Sequence, residues 1–409
     1  MAARPRDRSE EESGGQEFTV EETDCTLAID LPNDLVVKII QKVPFPHCFK
    51  ARLLNREWRH RFSQRMSLVS HNWPSHCPAL LSPGGELNLL DRSSGRWHKL
   101  SFQSVQTLDR RNTYGVFGPV PAGILDGALF CTLSTSRDGV YATVLNLLSS
   151  ERRVIPCPVQ GRCLPIFNSV GVDRYHLVLL GEEADGKTDF EPNLSTWCYD
   201  SLSHSWVQKS LPHGRLVHML RYLPHLGRLC YVFLDGHLYW YFRKTKSWTF
   251  QVYRASLEDG TESECPPVVL GSEDLLVFLT FELLKCESRV IMVVIWGYNE
   301  GNECRVSASI YEVERENFTL RQLSTSPPSL LPACDEGTML EIKSVADNEY
   351  IYLCWEQVVS YHIESGIWNT HGPPPAAAHS QCTHNLLHKK LCKLLCGRFQ
   401  PGLNPFVVP

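Results

Sequence analysis

One segment of the chain has the spacing of a nucleotide-binding loop. Residues 181–188 read GEEADGKT, which matches the P-loop pattern G-x-x-x-x-G-K-[ST], and they follow the apolar run HLVLL. A P-loop also needs a helix directly after it, because the N–H groups of the helix N-terminus bind the phosphate. Here Pro192 and a segment of strand character follow instead. Five carboxylates would also repel phosphate, those of Glu182, Glu183, Asp185, Asp189 and Glu191. We therefore predict an exposed loop between two strands that binds neither ATP nor GTP.

A second segment has the spacing of a zinc site. HNLLH at 384–388 places two histidines four residues apart, but Asn385 stands where a zinc hydrolase carries its general base. Cys392 and Cys396 could complete a structural site, yet four ligands within one segment of 13 residues would be unusual geometry. We predict a last strand with incidental His and Cys, and no metal.

Other catalytic patterns are absent from the sequence. SRDGVYAT at 136–143 is only a partial match to the Asp box of sialidases, and G-x-S-x-G does not occur. The many Ser, His and Asp residues form no recognisable constellation in the sequence. The chain is therefore predicted to be non-catalytic and to hold no cofactor.

Composition further limits the classes of protein to which the chain can belong. The chain has 409 residues, of which 43% are apolar and 21% charged, as in globular proteins. A net charge of -5 gives no electrostatic footprint for nucleic acid. The longest apolar runs, at 275–281 and 290–296, are too short to span a bilayer, so no membrane association is expected. Sixteen scattered cysteines without a secretory signal at the N-terminus favour thiols in the nucleus or cytoplasm.

The N-terminal part is predicted to be helical after a disordered acidic tail at 1–26. Pro32 suits a first helical turn, an apolar stripe follows, and prolines end the pattern, so a helix is expected over 31–43. Two more helices are expected at 47–54 and 55–66. The helical module thus covers 27–66, and 67–75 is a linker.

The rest of the chain, 76–409, has an all-β pattern with a repeat. Each copy reads as a strand, a polar turn of four to five residues and a returning strand that opens on an aromatic or apolar residue. The predicted equivalents are Trp97, Val154, Trp206, Trp248, Phe318 and Trp368. A second hairpin recurs between the copies, for example ILDGALFCTL at 124–133. Four strands at a period of about 50–55 residues indicate a kelch-like β-propeller. Six blades are expected, with seven as the alternative because the step from Trp248 to Phe318 is long.

The helical module resembles an F-box, especially that of plant proteins. The resemblance rests on spaced residues: Leu31, Pro32, Ile39, Ile40, Val43, Pro44, Arg52, Leu54, Trp58 and Phe62. The β region is similar to the degenerate kelch-type propeller of plant F-box/kelch-repeat proteins, although the paired glycines of standard kelch repeats are mostly missing. The resemblance therefore implies a mixed fold: a small all-α three-helix F-box, then an all-β kelch-like propeller.

The same resemblance implies partners and a function. The F-box would bind a Skp1-like adaptor and through it a cullin–RING ubiquitin ligase, and the propeller would hold an unknown protein substrate for ubiquitination. The implied adaptor surface is Leu31, Pro32, Ile39, Pro44 and Trp58, with the module's own core as the alternative role for Ile39 and Trp58. The alternative functions are a propeller that binds a small molecule or has its own activity, with the F-box as a regulatory handle, and a scaffold without a ubiquitination role.

Target contacts are expected in segments that differ between blades, because such loops carry binding residues on a rigid scaffold. These segments are 109–114, 182–191, 211–218 and 298–303, and the predicted contact residues are Asp109, Tyr114, Glu182, Glu183, His213, Arg215 and Tyr298. The tryptophans recur in equivalent positions, so they are predicted to pack between neighbouring sheets and not to bind the target.

Overall fold

The structure is a computed structural model. It describes residues 32–42, 77–81, 86–91, 95–101, 124–126, 129–136, 139–146, 152–159, 163–170, 174–182, 194–210, 231–243, 249–269, 276–300, 303–331, 333–334, 342–355, 357–373 and 395–399. These residues form one helix and 26 strands. The predicted tail at 1–26, the helices at 47–54 and 55–66 and the linker at 67–75 lie outside the described residues.

Helix α1 (Asn33–Lys42) agrees with the helix predicted over 31–43. Asp34 lies in its first turn and Lys42 in its last, where each charge is favourable to the helix dipole. The N–H of Leu35 donates to the carbonyl of Pro32 (2.9 Å), so the proline precedes the first turn as the sequence indicates.

The strands fall into six antiparallel meanders of four main strands each. The first meander takes its inner strand from the C-terminal part of the chain and consists of β26 (Leu395–Phe399), β1 (Cys77–Leu81), β2 (Glu86–Asp91) and β3 (Arg96–Ser101). The second consists of β4 (Ile124–Asp126), β5 (Leu129–Ser136), β6 (Gly139–Asn146) and β7 (Arg152–Pro156). The third consists of β8 (Cys163–Val170), β9 (Arg174–Glu182), β10 (Leu194–Asp200) and β11 (Ser205–Ser210).

The later meanders follow the same order. The fourth consists of β12 (Tyr231–Leu234), β13 (His237–Arg243), β14 (Thr249–Ser256) and β15 (Glu262–Glu264), with β16 (Val268–Val269) also paired to β14. The fifth consists of β17 (Leu276–Cys286), β18 (Arg289–Glu300), β19 (Glu303–Glu314) and β20 (Thr319–Thr325), with β21 (Ala333–Cys334) also paired to β19. The sixth consists of β22 (Lys343–Ala346), β23 (Tyr350–Cys354), β24 (Val358–His362) and β25 (Trp368–His371).

The first strands of the meanders contact one another in a cycle. Strand β26 meets β4 in parallel, with Arg398 opposite Asp126, and the contacts continue from β4 to β8, β12, β17 and β22 and back to β26. Between β17 and β22 the buried Glu282 accepts hydrogen bonds from the backbone N–H and the hydroxyl of Ser344. The contacts among the first strands therefore form a closed cycle that begins and ends at β26.

The apolar cores lie between neighbouring meanders. One core joins the third and fourth, with Val178 and Trp240 among its members, and the largest side chains join the fourth and fifth, with Phe250 and Phe281. A further core joins the fifth and sixth meanders. The last one joins the sixth to the first, where Leu90 packs with residues of β22, β23 and β24. From the third meander through the sixth and on to the first, each sheet thus packs its apolar side chains against the next, as stacked β repeats require.

The hairpin between the third and fourth strands is the same in all six meanders. In each, a residue pairs with the one seven positions later: Leu90 with Trp97, Leu145 with Arg152, Tyr199 with Trp206, Ala255 with Glu262, Val313 with Leu320 and Tyr361 with Trp368. Five of these turns close on a residue with positive φ: Gly95, His204, Gly260, Phe318 and Gly366. This shared turn defines the repeat by backbone geometry.

The backbone register corrects three predicted equivalents. Phe318 is the positive-φ turn residue, so Leu320 holds the position of the tryptophans, and in the second meander Arg152 holds it and not Val154. Trp248 lies between β13 and β14 along the chain, one hairpin too early, and Glu262 is the true equivalent. Trp248 and Phe318 occupy different positions within their meanders, which explains the long step between them. Equivalent positions follow the backbone register and not the aromatic residue type.

Two turns of the fifth meander bear on the predictions. The apolar runs at 275–281 and 290–296 fall on β17 and β18, which are joined by a tight turn through Glu287 and Ser288. The predicted loop at 298–303 is wrong, because β18 runs to Glu300, β19 begins at Glu303, and these two residues pair. The ladder between β18 and β19 includes Tyr298, opposite Arg305, so this segment continues the sheet.

Candidate functional site

Helix α1 carries an exposed apolar pair on one face. Leu35 and Ile39 are four residues apart, which places them on the same side of the helix, and they are 44% and 42% exposed. Asp34, Lys38 and Lys42 are exposed beside them. Two large aliphatic side chains in water on a short helix are unfavourable unless another surface covers them. This face is therefore the best-described candidate for a docking site.

The predicted adaptor residues are only partly within the described chain. Pro32 and Ile39 are described and both are exposed, and the two alternative roles of Ile39 stay predictions. Leu31, Pro44 and Trp58 lie outside the described residues and stay predictions. Leu35 shares this exposed face but was not among the predicted residues, although its spacing of four from Ile39 in the sequence was the signal for it.

The recurrent tryptophans bridge neighbouring meanders, as predicted. The indole N–H of Trp206 donates to the carbonyl of Pro156 in the second meander (3.0 Å), and that of Trp368 donates to the Ser324 hydroxyl in the fifth (3.0 Å). The indole of Trp97 in the first meander donates to the Gly372 carbonyl, directly after the last strand of the sixth (3.1 Å). Each indole thus reaches back to the preceding meander, which is a packing role.

The two edges of the sheets differ. We call one of them the turn edge. There the third strand of every meander turns into the fourth, as at His204, and in the second to sixth meanders the first strand turns into the second, as at Asp235 and Gly236. We call the loop edge the opposite one, where second and third strands join and fourth strands leave the meander. Two connecting segments of the chain begin and end at the loop edge: the one from β3 to β4 and the one from β11 to β12. Each is longer than any of the described turns. Residue Cys77, where the chain enters β1, lies opposite Phe399 at the turn edge.

The predicted target residues all belong to segments whose flanking strand ends lie at the loop edge. Asp109 and Tyr114 follow β3, Glu183 follows β9, and His213 and Arg215 follow β11; these five lie outside the described residues. Glu182 is the last residue of β9, and Tyr298 lies near the end of β18 opposite Arg305. The topology therefore brings the described boundaries of all four segments to one edge, but gives no contact among them.

The charged clusters of the described strands are paired within the chain. A cavity of about 380 Å³ lies at the turn edge of the fifth meander, lined by both turns of that meander. There Arg289 lies 3.8 Å from Glu312, and Arg315 lies 2.7 Å from Asp235 of the fourth meander. The Arg315–Asp235 pair joins the two meanders, whereas Arg289 and Glu312 belong to neighbouring strands of the fifth. The cavity lies at the edge opposite the predicted target segments.

Two further tests concern metals and membranes. Across the described ranges, no three side chains of His, Cys, Asp or Glu gather as a metal-binding group. The histidines and cysteines of 384–392 lie outside those ranges. In the described part of the chain, no helix has the length and apolar character needed to cross a bilayer.

The P-loop-like segment leaves β9 at Glu182, and the next described element, β10, is a strand and not the helix that phosphate binding needs.

Comparison with known proteins identifies the N-terminal module. Residues 29–65 match the family model described as the F-box domain. The chain carries an F-box domain. Helix α1 with its exposed Leu35 and Ile39 lies within this F-box. The match confirms the predicted F-box and leaves the kelch repeat and the plant type as predictions. No curated protein matches the chain.

Solved structures resemble the β region at low identity. A chain of a nidogen/laminin complex is 12% identical with a TM-score of 0.33, covering 79% of this chain and 97% of that one. The β-propeller domain of the trilobed protease from Pyrococcus furiosus is 13% identical with a TM-score of 0.32, covering 61% and 69%. An oligogalacturonate lyase in complex with manganese is 12% identical with a TM-score of 0.35, covering 74% and 73%. Likeness at this level carries no inference about activity.

Proposed function

We propose that this chain is the substrate receptor of a Skp1–cullin–F-box ubiquitin ligase. The F-box match at 29–65 carries the proposal, and the exposed pair Leu35 and Ile39 on helix α1 supports it. An apolar helix face is suited to a groove on a partner, because it binds through side chains at helical spacing. A Skp1-like adaptor would cover this face and connect the chain to a cullin–RING ligase.

The β region is proposed to be a six-bladed, kelch-like propeller. Six meanders, one shared hairpin geometry and a cycle of contacts through the first strands support this count. The first blade would be completed by β26, so that strands from both parts of the chain close the ring. Closure would give every inner strand a neighbour, so that only the short outer strands of the blades stay as sheet edges.

The loop edge of the propeller is proposed to hold the target protein. The chain enters the propeller at the turn edge, and the predicted target segments begin at the loop edge. The adaptor and the target would then occupy opposite sides of the sheets. Target specificity would depend on Asp109, Tyr114, Glu182, Glu183, His213, Arg215 and Tyr298. In this arrangement the chain is not a catalyst, since the ligase chemistry belongs to other subunits, and the complex would act in the nucleus or cytoplasm.

A double variant in α1 tests the adaptor contact. Leu35→Asp with Ile39→Asp should reduce the affinity for a Skp1-type adaptor by well over 100-fold, because central apolar contacts are each worth about 2 kcal/mol or more. Both side chains are exposed, so the melting temperature should stay at the wild-type value. Binding is measured by calorimetry with purified adaptor, and by co-purification of a cullin from cells.

Lys38→Ala is the matched control, because Lys38 is an exposed polar residue of the same helix. It should bind adaptor within a few-fold of wild type. Wild-type adaptor binding by the double variant would show that this helix face is not the docking surface. Failure of the wild-type chain to bind any Skp1-type adaptor would rule out the ligase assignment itself.

A further inference from the structure

The outer strand of the fifth meander is interrupted and then resumed. Strand β20 pairs with β19 from Glu314 back to Ser309, and Pro327 and Pro328 follow, which cannot donate to a ladder. The chain then returns as β21 and pairs with the beginning of β19. In this second ladder Cys334 lies directly opposite Cys304, and Ala333 lies opposite Arg305.

This register places the backbones of two cysteines at a separation that a disulfide spans. Directly opposed residues of an antiparallel pair share one face of the sheet, and their Cα atoms are about 4.5 or 5.5 Å apart, depending on the type of pair. Both values lie within the roughly 4.4–6.8 Å that disulfides span. Cys304 is itself only 5% exposed, which limits its reaction with reagents from solvent.

The juxtaposition is specific to this ladder. Among the paired positions of the described strands, Cys304 and Cys334 are the pair in which cysteine faces cysteine. Cys198, for comparison, has Val178 and Val207 as its opposed residues. If a small disulfide reacts with one cysteine of this pair, the opposed cysteine can attack the resulting mixed disulfide in an intramolecular reaction.

We propose that Cys304 and Cys334 form a reversible disulfide, a modification site on the fifth meander. One thiolate of the pair attacks a sulfur of a small-molecule disulfide such as oxidised glutathione, forms a mixed disulfide and releases one thiolate. The second cysteine, as thiolate, attacks the protein sulfur of that mixed disulfide and expels the other small thiol. The two cysteines lose two protons and two electrons, and the small disulfide is reduced to two thiols.

The bond would fix β21 to β19 and close a loop of about 30 residues, a constraint that stabilises mainly by restricting the unfolded chain. It lies at the loop edge, close in sequence to Tyr298 on the neighbouring strand. Oxidation of this pair would therefore make this part of the sheet more rigid. It does not depend on the ligase function proposed above.

The test uses the full-length folded protein in glutathione buffers of increasing oxidised-to-reduced ratio. Remaining thiols are alkylated and the protein is digested without reduction. The expected product is a cross-linked peptide pair containing Cys304 and Cys334, which disappears when reduced glutathione is restored. Wild-type protein should melt about 5 °C or more higher in the oxidised than in the reduced state, without any variant being needed.

Cys334→Ser and Cys198→Ser are the matched variants. Cys334→Ser should lose both the cross-link and the oxidation-dependent shift in melting temperature, whereas Cys198→Ser should keep both. A cross-link from Cys304 or Cys334 to any other cysteine would overturn the proposal. Complete alkylation of both residues in the most oxidising buffer would do the same.

Discussion

The interface between the fourth and fifth meanders is built differently from the interface between the sixth and first. In the former, large side chains meet: the Phe250 ring lies 5.0 Å from Phe281 and 5.9 Å from Tyr311, measured between centroids. The guanidinium of Arg254 lies 4.6 Å from the centre of the Phe318 ring. In the latter, fewer apolar side chains of the described residues pack around Leu90, and the first meander is itself held closed by a five-residue ladder between β26 and β1.

The difference follows from how the chain connects the sheets. Meanders four and five are consecutive, so a short connection keeps them together while their side chains pack. Meanders six and one contain opposite parts of the β region, and joining them costs loop-closure entropy over most of the chain. Within the first meander the backbone pairing of β26 with β1 joins the two parts of the chain, and the Trp97 indole bonds across to the end of the sixth meander. Side-chain packing dominates the junction of meanders four and five, whereas main-chain pairing inside the first meander closes the β region.

Ending the chain after residue 394 should open the first meander, where strands from both parts of the chain meet. This truncation removes β26 and its five ladder pairs with β1, at about 1 kcal/mol for each lost hydrogen bond. We expect a loss of about 5 kcal/mol, or failure to fold, measured by urea denaturation. Ending the chain after Phe399 keeps the ladder and is the control, which should leave stability near wild type. An equal effect of both truncations would contradict a closing role for β26.

Phe250→Ala tests the first kind of interface. Phe250 is 1% exposed, and its removal should cost about 3–5 kcal/mol through lost burial and the resulting cavity. The measurement is the free energy of unfolding in denaturant. Glu258→Ala, in the exposed turn after β14, should change it by no more than about 0.5 kcal/mol. A cost below about 1 kcal/mol for Phe250→Ala would mean that the core between these sheets is not tightly packed.

The sequence predicted local elements well and long-range pairing poorly. Helix α1 followed from Pro32 and the apolar stripe, and the bridging role of Trp97, Trp206 and Trp368 followed from their recurrence. Strand β26 was not predicted as a partner of β1, because its residues carry no local signal for a strand more than 300 positions away. Leu320 and Glu262 were not predicted as equivalents of the tryptophans. Different residue types hold this repeat position, so only the backbone register shows that they correspond.

The indole hydrogen bonds can be removed one at a time. Trp97→Phe, Trp206→Phe and Trp368→Phe each keep a ring and delete one N–H donor, so each should cost about 1 kcal/mol. Because Trp97 lies at the interface that depends more on hydrogen bonding, its replacement should have the largest effect of the three. Differential scanning calorimetry would compare the three melting temperatures. The contrast between the interfaces would fail if Trp97→Phe were the mildest of the three.

The smallest expected effect is a dependence on pH near the closing interface. Burial lowers the pKa of His371 below its ordinary value of 6.5, and its Nε2 lies 2.7 Å from the Ser360 hydroxyl oxygen. As pH falls below about 6.5, the unfolded chain takes up a proton at this imidazole that the folded protein resists. Stability should therefore fall between pH 7 and pH 5, by less than about 1.4 kcal/mol per pH unit.

His371→Gln isolates this contribution from the other histidines. The variant should show a shallower decline in unfolding free energy over the same pH range, with little change above pH 7.5. Identical pH profiles for variant and wild type would show that His371 does not couple proton uptake to folding.

The position of β1 has a mechanical consequence. If the N-terminal module is held while the target is pulled, force enters the β region at Cys77, where β1 begins. Strand β1 lies between β26 and β2 and is bonded on both sides, and both neighbours run antiparallel to it. A pull along β1 therefore loads two ladders in shear, so that many hydrogen bonds must break together. A chain entering through the outer strand β3 would instead peel away from a single neighbour, with bonds breaking one after another at lower force.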